Sequence, residues 1–236
     1  MIKTIIVLLL ILYSGTLLFA DEEIGELDKL ILFKDWIFDL DKLEFVDSSA
    51  INQHNVFWDV SEETVKWDNP ELSHQGQSIQ IWENREVLAY ETDSLIGILT
   101  IEEVKQEDVI VGSKLVLRDE ENKDTLWIYD PDLHLFFGKY LKAVFPLGGN
   151  NIYIAIYDLI STGAGLVCLD VRNGEEIWKG DVEQLMVPHS IYQNEVFIKV
   201  IGDKVILAGD EAAGYYLQIF DAETGERLFS KINWLW

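Results

Sequence analysis

This chain of 236 residues holds one cysteine, Cys168, so neither a disulfide framework nor a zinc site built from clustered cysteines is available to it. Proline is scarce, at Pro70, Pro131, Pro146 and Pro188, and no Pro-rich or Gly/Ser-rich stretch marks an internal linker. Basic residues are few. Against 42 Asp and Glu there are 18 Lys and Arg, for a net charge of -24. A body so negative repels phosphates at long range, which excludes nucleic acid as a partner. The histidines, His54, His74, His134 and His189, show no spacing that suits a metal on a helix or short loop. No Gly-x-Ser-x-Gly elbow occurs, and no segment keeps a helical period near 3.6. What is present is apolar: 49% hydrophobic and 12% aromatic, which excludes a disordered chain despite the charge.

Residues Met1 to Ala20 read as an export signal. Lys3 is the only charge in the run, the rest is largely apolar, and Asp21 opens the polar chain. Cleavage after Ala20 leaves 21–236 as the mature chain and makes it one charge more negative. An uncleaved anchor is the alternative. A spanning helix needs about 20 apolar residues, and Ser14 and Gly15 interrupt this run. Both readings place the rest of the chain outside the cytoplasm, periplasmic or extracellular, with no membrane insertion once the signal is removed. In an oxidising compartment a lone thiol is best buried, and Cys168 sits in the apolar stretch Leu166-Val167-Cys168-Leu169.

Beyond the signal, apolar residues come in runs of four to six closed by Gly, Asp, Asn and Ser, as in Ile152–Tyr157 and Val205–Ala208. Such runs predict strands. Two stretches align without gaps: Leu166 to Trp178 and Leu217 to Phe229. Each is an apolar strand, an Asp (Asp170, Asp221), a Gly four residues on (Gly174, Gly225), and a closing aliphatic–aromatic pair ending in Trp178 or Phe229. The Asp side chain accepts backbone N–H groups of the turn. The Gly supplies positive φ. The closing pair is expected to return to the core.

Two weaker copies follow. One runs from Leu115–Leu117 through Asp119–Asp124 to Leu126–Asp130, with Asp130 as its key residue and His134 in place of Gly. The other pairs Leu43–Val46 with Val56–Asp59 and runs on from Asp59 to Trp67, with Glu63 in place of Gly. The gap between them has room for one degenerate unit, Ile79–Trp82 with Val87–Tyr90 and Leu95–Thr100. The expectation is an all-β, β-propeller-like body of about five four-stranded units, incomplete or open, at the size of about 40 residues typical of a blade. Trp234 and Trp236 suggest a terminal strand, with Leu30–Phe38 as its expected neighbour.

The full pattern at Leu217 to Phe229 resembles the quinoprotein-type (PQQ-like) β-propeller repeat, and Leu166 to Trp178 is the second good match. The resemblance implies that Asp59, Trp67, Asp130, Asp170, Gly174, Trp178, Asp221, Gly225 and Phe229 are structural residues at corners and blade contacts. It does not carry over the redox chemistry. The chain is far shorter than quinoprotein dehydrogenases, and Cys168 has no second cysteine to pair with. No cofactor, metal or catalytic residue is therefore expected. Two acidic stretches, Asp119–Asp124 and Glu102–Asp108, read as a solvated hairpin tip and an exposed connection. The first lacks the ligand order of a calcium loop. The expected function is a non-enzymatic exported scaffold or protein-interaction module at the cell envelope, its field selecting basic protein partners. Two alternatives stand beside it: a small carbohydrate-active hydrolase or lyase using a pair of its many carboxylates, and a degenerate quinoprotein relative that keeps only the fold.

Overall fold

The computed structural model describes residues 30–47, 56–60, 78–81, 86–91, 94–121, 123–131, 139–146, 149–158, 164–183, 195–211 and 214–234. The export segment, the four histidines, Trp67 and Trp236 lie outside these residues. Among the described residues there is no α-helix, and the expectation of an all-β chain holds. The chain divides into two compact units, one of residues up to Leu32 with Trp36–Trp58, the other of Phe33–Asp35 with Asp59 onward.

The first unit is built on one sheet of β1 (Leu30–Phe33), β2 (Trp36–Asp39), β3 (Glu44–Phe45) and β4 (Val56–Asp59), in the order β3-β2-β1-β4. Phe38 and Phe45 face each other across β2 and β3, edge to face with centroids 5.3 Å apart. The hairpin expected between Leu43–Val46 and Val56–Asp59 does not form. The β3 segment pairs back onto β2, and β4 adds on the far side of β1. Leu30–Phe38 supplies β1 and β2 of this sheet, and β17 belongs to a different one.

The second unit holds three antiparallel sheets. Its strands are β5 (Ser78–Ile81), β6 (Val87–Glu91), β7 (Ser94–Gln106), β8 (Val109–Arg118), β9 (Thr125–Tyr129), β10 (Lys139–Pro146), β11 (Asn151–Asp158), β12 (Ala164–Asp170), β13 (Glu176–Gly180), β14 (Glu195–Ile201), β15 (Lys204–Glu211), β16 (Gly214–Asp221) and β17 (Arg227–Trp234). Three meanders result: β6-β7-β8-β9, β10-β11-β12-β13 and β14-β15-β16-β17. The described residues thus form four sheets rather than about five. The degenerate unit expected from Ile79–Trp82, Val87–Tyr90 and Leu95–Thr100 does not form by itself: β6 and β7 share a sheet with β8 and β9, and β5 pairs with β10, Ala143 opposite Ile81 and Phe145 opposite Ile79, which widens the middle sheet to five strands. Glu102–Gln106 is likewise strand, not connection: β7 runs through it, with Glu102 opposite Lys114 and Gln106 opposite Val109.

The unbroken apolar runs have a direct cause. In β11, Ile152, Ile154 and Ile156 join a core shared with the β6–β9 sheet, whereas Tyr153 and Ala155 join a core shared with the β14–β17 sheet. In β12, Val167 and Leu169 go one way, Leu166 and Cys168 the other. A strand covered on both faces has no polar side to show, so the alternation that marks a half-buried strand disappears.

Candidate functional site

An Asp corner recurs four times among the described residues. At Asp39, Asp119, Asp170 and Asp221 a strand ends and the carboxylate accepts the backbone N–H two residues on: Asp41 at 3.0 Å, Glu121 at 2.9 Å, Arg172 at 2.8 Å and Glu223 at 3.0 Å. The fourth residue after each Asp is left-handed: Leu43 at φ 54°, Lys123 at 59°, Gly174 at 71° and Gly225 at 73°. In the last three corners its N–H donates to the Asp carbonyl, at 3.2, 2.9 and 2.9 Å. The Asp N–H donates in turn to the carbonyl five residues on, at 2.9 Å each time, and the next strand begins. Glycine takes that conformation freely, while an L-residue there costs about 1–2 kcal/mol.

Asp170, Gly174, Asp221 and Gly225 therefore stand where the sequence pattern put them. Asp130 is exposed just after β9, and the chain beyond Pro131 is outside the described residues. The corner described for this sheet is at Asp119, eight steps before Trp127, as Asp170 is eight steps before Trp178. Lys123 in the glycine slot concealed it, and the shared eight-step spacing is the signal that identifies it. With Asp119 in place, the corners at 119, 170 and 221 fall at equal intervals of 51 residues. Asp39 carries the same corner with Leu43 in the slot, which no sequence signal revealed. Asp59 closes β4, and the residues that lead from it to Trp67 are not described.

The closing aromatics join one sheet to the next. The Trp127 indole N–H donates to the Val171 carbonyl at 2.9 Å, and the Trp178 indole N–H donates to the Ala222 carbonyl at 3.1 Å, in both cases 44 residues along the chain. Each acceptor directly follows a corner Asp. Each indole lies against the corner glycine of the next sheet: a Cβ on Gly174 would fall 2.7 Å from Trp127 Cδ2, and one on Gly225 2.6 Å from Trp178 Cδ2. The Tyr153 hydroxyl also donates to the Ala222 carbonyl, at 3.1 Å. Burying two indoles while satisfying both N–H groups is what makes Trp the useful residue here. Phe229 is half-buried opposite Ile219.

One expectation fails. The aliphatic partner of each closing pair does not return to the core: Ile177 is 49% and Leu228 39% exposed, and Leu126, in the same place beside Trp127, is 49% exposed. At all three places the register shifts, so that Leu126, Ile177 and Leu228 are each the extra residue of a bulge, with no residue opposite on the neighbouring strand, while the aromatic that follows is paired.

The electrostatics of these residues hold charge in place. Asp170 is pulled below its ordinary value by the Arg172 side chain, and Asp221 by the Thr224 backbone N–H and hydroxyl. On the β7–β8 face, Arg118 donates to Glu102 and, at 3.2 Å, to Thr100, and Lys114 stands 3.8 Å from Glu102, which lowers the Glu102 carboxyl. Burial pushes the Cys168 thiol and the Tyr153 phenol up to about 12 each. Every described carboxylate with a resolved shift is lowered. No group of three His, Cys, Asp or Glu side chains suited to a metal occurs among the described residues.

No protein-family model matches this chain, and no curated protein matches it.

Proposed function

We propose that this chain is an exported, non-enzymatic β-propeller-type scaffold of the PQQ-like repeat kind, serving as a protein-interaction module for basic partners at the cell envelope. The observation that carries the reading is the repeated latch. Trp127 grips Val171 and Gly174 as Trp178 grips Ala222 and Gly225, at the same offset and with the same bond. Such a latch builds a stiff stack of sheets from units that cannot bury their faces alone. Rigid stacked sheets present turns and edge strands without large ordering costs, which suits recognition. The net charge of -24 favours encounter with basic surfaces.

The test is capture of envelope proteins on the immobilised chain at two salt concentrations. Charges act over about 10 Å at 0.1 M salt and about 3 Å at 1 M. Basic proteins retained at the lower salt and released at the higher are the expected result. No retained protein at either salt overturns the interaction reading. Mass spectrometry of the exported product, expected to begin at Asp21, tests the signal.

A further inference from the structure

Among the described residues, the strands β9, β13 and β17 each end a sheet. Open edges invite pairing with foreign strands, and sheets commonly blunt them with lysine. β13 carries the exposed Lys179 and β17 the exposed Lys231. β9, Thr125-Leu126-Trp127-Ile128-Tyr129, has no charged residue at all. Trp127 turns inward, so the outward face shows Leu126 and Ile128, 49% and 50% exposed. Asp124 immediately precedes the strand, at the end of the Asp119 corner, and Asp130 immediately follows it, both exposed. The two exposed aliphatics are thus flanked along the chain by an acid at each end, with Lys123 beside the first.

We propose that the outer edge of β9 is a strand-addition site for an extended segment of a partner protein that bears two alternating aliphatic residues flanked by lysine or arginine. Main-chain pairing supplies the affinity and the alternating side chains the specificity, as in other edge-strand recognition. Apolar contact with Leu126 and Ile128 excludes water between the two charged ends, and Asp124 and Asp130 select the cations. A second copy of this chain is disfavoured as occupant, because its net charge of -24 repels itself. The assignment rests on the interaction-module reading and names the surface it uses.

The probe is the fluorescent peptide Lys-Thr-Val-Thr-Val-Thr-Lys, titrated by anisotropy against the whole chain. Saturable binding is expected, weakened about tenfold or more by Ile128→Lys and changed less than about twofold by Ile177→Lys on β13. On the wild-type chain, the same peptide N-methylated at alternate residues, or with Glu in place of Lys, is expected to bind about tenfold more weakly. These two peptides keep the test decisive should Ile128→Lys disturb folding. Absence of saturable binding, or equal binding by the N-methylated peptide, overturns the proposal. If peptide binding fails while salt-sensitive basic partners are still captured by the Ile128→Lys chain, the edge assignment falls and the interaction module stands. If no partner is captured either, both fall.

Discussion

Substituting Gly225 with alanine tests the latch directly. Two effects add. The first is conformational: φ at Gly225 is +73°, and an L-residue there costs about 1–2 kcal/mol. The second is steric. The new Cβ would lie 2.6 Å from Trp178 Cδ2 and Cε3, whereas carbon atoms rest at about 3.5–4.0 Å. The indole cannot retreat without breaking its bond to the Ala222 carbonyl, so overpacking of about 1–3 kcal/mol is expected. Gly225→Ala should thus destabilise by about 2–5 kcal/mol in all. In a Trp178→Leu background the steric part disappears and only about 1–2 kcal/mol should remain. The coupling between the two sites is then about 1–3 kcal/mol, read from urea unfolding of the four proteins in a double-mutant cycle. Lys123→Gly provides the reference for the conformational part, because Lys123 occupies the same slot at φ 59°. It should stabilise by about 1 kcal/mol. Equal losses for Gly225→Ala in both backgrounds would refute the claim that the indole and the corner glycine are packed against each other.

Other outcomes follow from the same structure. The hairpin turn between β7 and β8 puts Glu107 at φ 50° and Asp108 at φ 66°, a pair that favours Asn-Gly. Replacing Glu107 with Asn and Asp108 with Gly should raise stability by about 1–2 kcal/mol, measured as a higher urea midpoint at unchanged slope. Cys168 is buried with its thiol pushed up to about 12, so a thiol reagent at neutral pH should leave the native chain unlabelled and label it fully in denaturant. Asp170, Asp221 and Glu102 are lowered from ordinary values of 3.8, 3.8 and 4.5, so their stabilisation is present above those values. It is lost as pH falls through the folded-state values, because the unfolded chain takes up protons first. Urea midpoints should drop on acidification, and Glu102→Gln should flatten part of that drop. An unchanged pH slope in Glu102→Gln would contradict the assigned role of Arg118.

The strands and their corners were readable in the chain because their causes are local. Apolar runs of β-branched residues, an Asp that accepts turn N–H groups and a Gly at positive φ act over a dozen residues at most. Leu166 to Trp178 and Leu217 to Phe229 each carry the whole set, and the structure forms the Asp–Gly corner in both, while Ile177 and Leu228 stay exposed. The Asp119 corner was harder to see, because Lys123 holds the left-handed conformation without the glycine that announces it.

Three matters lay beyond the sequence, each a question of which distant segments meet. The pairing of β5 with β10 depends on a partner about 60 residues away, and nothing in Ser78–Ile81 names it. The acceptors of the Trp127 and Trp178 indoles lie 44 residues downstream, so their role as latches exists only once sheets stack. The unguarded face of β9 emerges only when Trp127 is seen to turn inward and the sheet is seen to end there. Local chemistry sets the conformation of a strand or a turn; which of its faces meets water depends on what the rest of the chain lays against it.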